Sequence, residues 1–458
     1  MTTAPAHALP WTSLPTEMKF SVIQHLDAKD IRSFAKVNKE AYTLAVPALW
    51  RVVDLQSLDH IISYADNVPQ SYHRYTRQLS ICTKPANSGA PTNTAISDAL
   101  SRLLASCTQI DQLSLTLEAS LDYSLVHLFQ HLDQLKALSI HHCGDEQRTP
   151  LSERLVVSIA ASVPNLQELS LDRIARSALH APELIGAYPF VPVVTGDADI
   201  PDHPRLGSDL SLPSLLRLPT LRKLKIRDTH LGDPKWCVTP ISCSLEFLDL
   251  GSYCNESPEF NRVCTERIVG TVGHAVDEFS LNTALSGETY AFEKPKETPL
   301  KKLRKVHLTP LFPVENVVDT LTTLSGSPVE ELSVRCYEDD VLDMCSALED
   351  FLSLRTERGD SDFYKHLSQI SVSTVTDIYS DDNAHDDVHD IFTRSNAGDC
   401  NCSSISPRTR PTVVIPAEHA LAIQRLQEFC HDLALAGSCS HEELVIAKGM
   451  ACMCENEN

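Results

Sequence analysis

The sequence of 458 residues predicts an α/β chain: a small N-terminal helical module, then a repeat solenoid with a parallel sheet on its concave face. Three observations predict it. Residues 14–55 hold several short apolar helices. Beyond residue 75 one spacing recurs: an apolar residue, two variable positions, an apolar, one variable, an apolar. Amphipathic helical segments often lie between the copies.

In the first module Leu14-Pro15 opens a helix, since proline is tolerated in a first turn where its missing N–H would be unpaired anyway. Met18, Val22, Ile23 and Leu26 line one face. Asp27 can cap the second helix, and Asp30 adds negative charge to its positive end. Ile31, Phe34 and Val37 follow at helical spacing, Asn38 can cap a third helix, and a last turn ends in Ala48-Leu49-Trp50-Arg51. A segment of about forty residues buries too little for a stable core, so it predicts a partner surface.

This order resembles the F-box, the adaptor-docking module of SCF-type ubiquitin ligases. F-boxes begin with Leu-Pro, here Leu14-Pro15, and carry an apolar helix ending near a leucine, here Ile23 to Leu26. An acidic-apolar pair follows (Asp30-Ile31), then a valine before a polar pair (Val37-Asn38-Lys39) and a closing Leu49-Trp50. Met18 stands where Ile or Leu is commoner, and Asn38 replaces the usual Cys or Ser; both are tolerable in such helices. Caps and periodicity alone would also fit a generic helical bundle belonging to one globular domain.

The repeats read Ile110-Leu113-Leu115, Leu135-Leu138-Ile140, Leu166-Leu169-Leu171, Leu221-Leu224-Ile226 and Leu245-Leu248-Leu250. They continue with Val276-Phe279-Leu281, Leu303-Val306-Leu308, Val329-Leu332-Val334 and Leu367-Ile370-Val372. A degenerate first copy sits at Leu79 and Ile81. Most neighbours are 24 to 31 positions apart, close to the leucine-rich-repeat period. The last two apolar positions flank a polar one, so each copy predicts a short strand with one buried face. Helices are expected at 94–104, 152–163, 314–324 and 341–352, because a strand and a helix bury a core only when such units stack. A doubly wound α/β enzyme alternates the same elements, but no Gly-rich phosphate loop follows a strand.

Six prolines between Pro182 and Pro213 mark 182–213 as a long excursion. Seven aspartates against Arg394 mark 376–402 as acidic and flexible. Residues 416–437 read as a helix with Leu426, Phe429, Cys430 and Leu433 on one face and Gly437 as its stop. The partition is a flexible start (1–13), the F-box (14–55), a linker (56–75) and the repeats (76–375). An acidic loop (376–415), a C-terminal helix (416–437) and a flexible tail (438–458) complete it.

A formal charge of −22 argues against nucleic-acid binding, which needs a basic surface. No apolar run is long enough for a membrane helix, and the opening residues lack a secretory pattern. The fifteen cysteines are neither dense nor regular, which fits reduced thiols in the cytoplasm or nucleus. Cys400 and Cys402, Cys430 with His431, Cys439 with His441, and Cys452 and Cys454 could ligate zinc, as could His385 and His389 or Cys237, Cys243, Cys254 and Cys264. Their spacing is not that of zinc knuckles, so no metal and no cofactor are expected. The basic run Lys294, Lys296, Lys301, Lys302, Arg304 and Lys305 reads as a solvated loop or a nuclear import signal. No catalytic motif is present, and the reading is of a non-enzyme.

An F-box followed by leucine-rich repeats resembles the substrate receptors of SCF ubiquitin ligases, a fungal type by its irregular copies. The resemblance implies docking on the Skp adaptor, and through it on cullin and RING subunits. It places docking or its immediate packing on Leu14, Pro15, Met18, Ile23, Leu26, Ile31, Val37, Leu49 and Trp50. The repeats would hold a protein substrate through side chains alternating with the buried leucines. These include Glu168, Asp172, Lys223, Lys225, Arg227, Asp249, Lys305, His307 and Arg335, whose signs alternate in blocks. Those blocks read either as an electrostatic template or as plain solvated surface. The alternative function is a non-catalytic repeat scaffold acting outside a ubiquitin ligase.

Overall fold

The structure, a computed structural model, describes residues 11–84, 93–177, 179–180, 193–194, 196–286, 300–358, 363–375, 417–433 and 436–438. They fall into two compact units, residues 11–149 with 158–166, and residues 150–157 with 167–375 and the C-terminal segments. The expected flexible start and tail lie almost wholly outside the described residues, and the acidic loop at 376–415 entirely so.

The first unit opens with α1 (Thr16–Gln24), α2 (Ala28–Ala35) and α3 (Lys39–Leu49). Their starts follow the sequence chemistry. Pro15 sits at the N-cap of α1, the Asp30 amide donates to Asp27 Oδ1 at 2.7 Å, and the Ala41 amide donates to Asn38 Oδ1 at 2.8 Å. There follow β1 (Val52–Leu55), α4 (Leu58–Asn67), α5 (Gln70–His73) and β2 (Gln78–Cys82). Then come α6 (Asn93–Ser106), β3 (Gln112–Leu117), α7 (Val126–Phe129) and β4 (Ala137–His142). The four strands pair in parallel in chain order. Their register stacks Val53, Leu79, Leu113 and Leu138 in one buried row and Leu55, Ile81, Leu115 and Ile140 in the next.

Residues 56–75, expected as a linker, are instead a rung of this ladder. Ser57 accepts from the His60 amide and caps α4, which buries Leu58, Ile61 and Tyr64. Tryptophan at the first apolar position masks this copy in the sequence: Trp50, Val53 and Leu55 keep the repeat spacing.

In chain order α8 (Glu153–Ser162) follows. The second unit carries β5 (Glu168–Asp172), β6 (Lys223–Arg227), β7 (Phe247–Leu250) and α9 (Pro258–Val272). It continues with β8 (Glu278–Leu281), β9 (Lys305–Leu308), α10 (Val317–Thr323) and β10 (Glu331–Tyr337). Last come α11 (Val341–Arg358), β11 (Gln369–Val375), α12 (Ala417–Asp432) and β12 (Ala436–Ser438). Each strand again pairs in parallel with the next. Leu169, Leu224, Leu248, Phe279, Val306, Leu332 and Ile370 form one row, all buried. A strand-and-helix ladder with stacked leucines is the architecture of a leucine-rich-repeat solenoid.

Two details differ from the sequence reading. Gly437 does not stop the C-terminal helix: α12 ends at Asp432, and Gly437 pairs with Ile370 as part of β12. A strand of Ala-Gly-Ser carries no alternating apolar signal, which is why the sequence hid it. The described part of the proline-rich excursion also helps close the core. Leu206, Leu210 and Leu212 are buried there. Gly207, at φ 67°, lets the chain reverse so that His203 and Gly207 exchange backbone hydrogen bonds. The excursion is anchored by buried Glu153, which accepts from the Leu212 amide at 2.7 Å.

Candidate functional site

The three N-terminal helices close a small core of their own. Ile23, Ile31, Leu44 and Ala45 are buried together, and Trp11, Phe20, Leu26, Phe34, Ala35, Ala48 and Leu49 pack on them. Trp11 meets Phe34 edge to face at 5.3 Å. Lys19 lies over the Trp11 ring and pairs with Glu40 at 2.8 Å, tying α1 to α3. Trp11 and Phe20 escaped the sequence reading, although Phe20 lies at helical spacing from Ile23.

This packing divides the nine expected docking residues. Ile23 and Ile31 belong to the core, and Leu26 and Leu49 pack directly on it, so they shape the module from within. Leu14 is half-buried. Trp50 turns toward the first rung, with Tyr64 at 5.8 Å and Tyr72 at 5.9 Å between ring centroids. Pro15 is exposed, as are Met18 (54%) and Val37 (68%). Val22, four residues after Met18 and therefore on the same side of α1, is 44% exposed. Tyr42 is also exposed, with its hydroxyl 3.3 Å from that of Tyr72. The module thus needs no partner to complete its interior, contrary to the expectation from its length. What it presents outward is a set of large apolar side chains, Met18 and Val22 on α1, Val37 after α2 and Tyr42 on α3.

Residues 11–46 match the family profile of the F-box domain. The N-terminal module is an F-box. A leucine-rich repeat-containing protein, LegL7 from Legionella pneumophila, is a solved structure to which the chain is similar. The identity is 12%, the TM-score 0.35, and the match covers 70% of this chain and 93% of that one. No curated protein sequence matches the chain. The repeat architecture rests on the strand ladder itself, so the chain carries an F-box at residues 11–46 followed by a ladder of leucine-rich-repeat type.

On the polar side of the second ladder, the alternating charges satisfy one another across neighbouring strands. Lys223 pairs with Glu168 at 2.8 Å, Lys305 with Glu331 at 2.6 Å, and His307 with Glu278 at 2.8 Å. The Glu168 bond raises the Lys223 pKa, the Glu331 bond raises that of Lys305, and the hydrogen bond from His307 lowers that of Glu278. Lys225 lies 5.5 Å from the centre of the Phe247 ring. Asp249 corrects the reading of this face. It is 1% exposed and covered by Arg227, whose guanidinium donates to Oδ2 at 3.0 Å. Asp172 is half-buried and Arg335 exposed.

In the basic run, Arg304 and Lys305 are held in ion pairs, and Lys294 and Lys296 lie outside the described residues. The C-terminal cysteine and histidine pairs do too, apart from Cys430 and His431, as do His385 and His389. Among the described residues no group of three potential ligands is placed to hold a metal. Of the middle cysteines, Cys237 and Cys254 are exposed whereas Cys243 and Cys264 are buried.

Proposed function

We propose that this chain is the substrate-recognition subunit of an SCF-type ubiquitin ligase. The F-box docks on the Skp adaptor, which links it to cullin and RING subunits, and the repeats hold a protein substrate. The chain itself is non-catalytic: its contribution is to position the substrate, and the transfer chemistry belongs to the other subunits. Its place of work in this reading is the cytoplasm, the nucleus or both. One observation carries the proposal: Pro15, Met18, Val22 and Val37 stand outward on a module whose core is already closed. Large apolar groups at the centre of an interface supply most of its energy.

The polar face of the second ladder is the proposed substrate surface. Several of its charges are paired internally, so recognition would rest on shape and on groups such as Phe247 more than on one sign of charge. Reconstitution tests the whole reading. The chain, added to adaptor, cullin, RING subunit and conjugating enzyme, should promote ubiquitin transfer to a protein that co-purifies with it. Adaptor binding without any such transfer would favour the scaffold function instead.

A further inference from the structure

On the polar side of the second ladder, Lys223 bonds Glu168, Lys305 bonds Glu331 and Arg227 bonds Asp249, each on a neighbouring strand. Lys225 differs. It is half-buried, and among the described residues no carboxylate pairs with its ammonium, which lies over the Phe247 ring instead. The register gives the reason. Lys225 stands between Ser170 of β5, which carries no charge, and Asp249 of β7, whose carboxylate is buried and already bound by Arg227.

Phe247 is equally out of keeping with its surroundings. The parallel register sets it in a row with Glu168, Lys223, Glu278, Lys305, Glu331 and Gln369, all of them polar. Its ring is half-buried, with Lys225 reaching it from β6 and the His307 ring, 6.4 Å away between centroids, from β9. Aromatic side chains on a polar surface gain most when a partner covers them. An ammonium over a ring still has N–H groups to donate, and a charge-assisted bond to a carboxylate is stronger than a cation–π contact in water.

We propose that Lys225 and Phe247 together anchor an acidic segment of a protein partner. A carboxylate of that segment accepts hydrogen bonds from the Lys225 ammonium, and an apolar side chain next to it covers the Phe247 ring. Ser170 and Ser280, on the flanking strands of the same row as Lys225, are small enough for a backbone to approach. The net charge of −22 repels an acidic segment at long range, so the attraction is local to this one cation. The proposal rests on the reading of this face as the substrate surface and names the chemistry that the surface selects.

The test selects peptides from a random dodecapeptide display library on the immobilised full chain, at a physiological ionic strength of about 0.15 M. Affinities of the synthetic winners are then measured by fluorescence anisotropy. The winners should share an aspartate or glutamate beside an apolar residue. Lys225→Glu should weaken their binding at least ~10-fold, because like charges in contact repel, and Lys225→Arg should retain most of it. Phe247→Ser should weaken it by a similar factor of about 10. Winners whose acidic residue is changed to lysine should bind Lys225→Glu better than they bind the parent, which separates loss of the anchor from loss of the fold. Enrichment of basic or uncharged peptides, no enrichment, or acidic peptides bound equally by the parent and Lys225→Glu would overturn the proposal. Titration of the parent chain with a Skp adaptor is a separate readout: its failure would remove the ligase reading and leave the peptide result standing.

Discussion

Val22 and Ile23 are consecutive residues of α1 that differ in what they touch. Ile23 lies in the F-box core, and Val22 points outward beside Met18. Ile23→Ala should destabilise the first unit by about 2–5 kcal/mol, the usual cost of emptying a packed site. Val22→Ala should change stability by no more than about 0.5 kcal/mol, as surface substitutions do. Denaturant titration separates the two. A second residue carries a pH dependence. Burial raises the Glu153 pKa to about 7, against the opposing pull of Arg176 and the Leu212 amide. The folded chain then holds this proton more tightly than the unfolded chain does. Its stabilising contribution is complete below the ordinary carboxyl range and is lost as pH rises toward 7. Glu153→Gln should therefore gain stability relative to the parent between pH 5 and pH 7. A constant difference across that window would show that Glu153 ionises normally.

At the scale of elements, capping decides where the F-box helices begin. Asn38→Ala removes the acceptor for the Ala41 amide and should cost about 1 kcal/mol, read as a lowered unfolding midpoint. That cap, Asp27 and the helix over Met18, Val22 and Ile23 were all legible in the sequence, because capping and the helical period are local. The strands were legible for the same reason, through leucines two positions apart. What escaped needed tertiary information. The rung at 50–73 begins with Trp50 where the repeat pattern expects leucine, and β12 is Ala-Gly-Ser. The burial of Ile31 against the exposure of Val37 follows from how the three helices pack, which no single-helix pattern contains.

At the scale of the whole molecule, a net charge of −22 coexists with a polar face on which several charges pair across neighbouring strands. The sequence showed blocks of opposite sign, and only the parallel register shows that they neutralise one another. Each such exposed pair is worth roughly 0.2–1 kcal/mol. A double-mutant cycle on Glu168 and Lys223 should return a coupling in that range that shrinks with added salt. The F-box follows a different logic: its buried residues build a scaffold, and Met18, Val22 and Val37 stay exposed on it.

The most direct measurement of the central claim is calorimetric titration of the purified chain with a Skp adaptor, for the parent and for Met18→Asp with Val37→Asp. The account predicts binding by the parent. It predicts at least ~10-fold weaker binding by the double variant, as loss of central apolar anchors implies, with an unchanged unfolding midpoint. Undiminished binding by the double variant, or none by the parent, would contradict it.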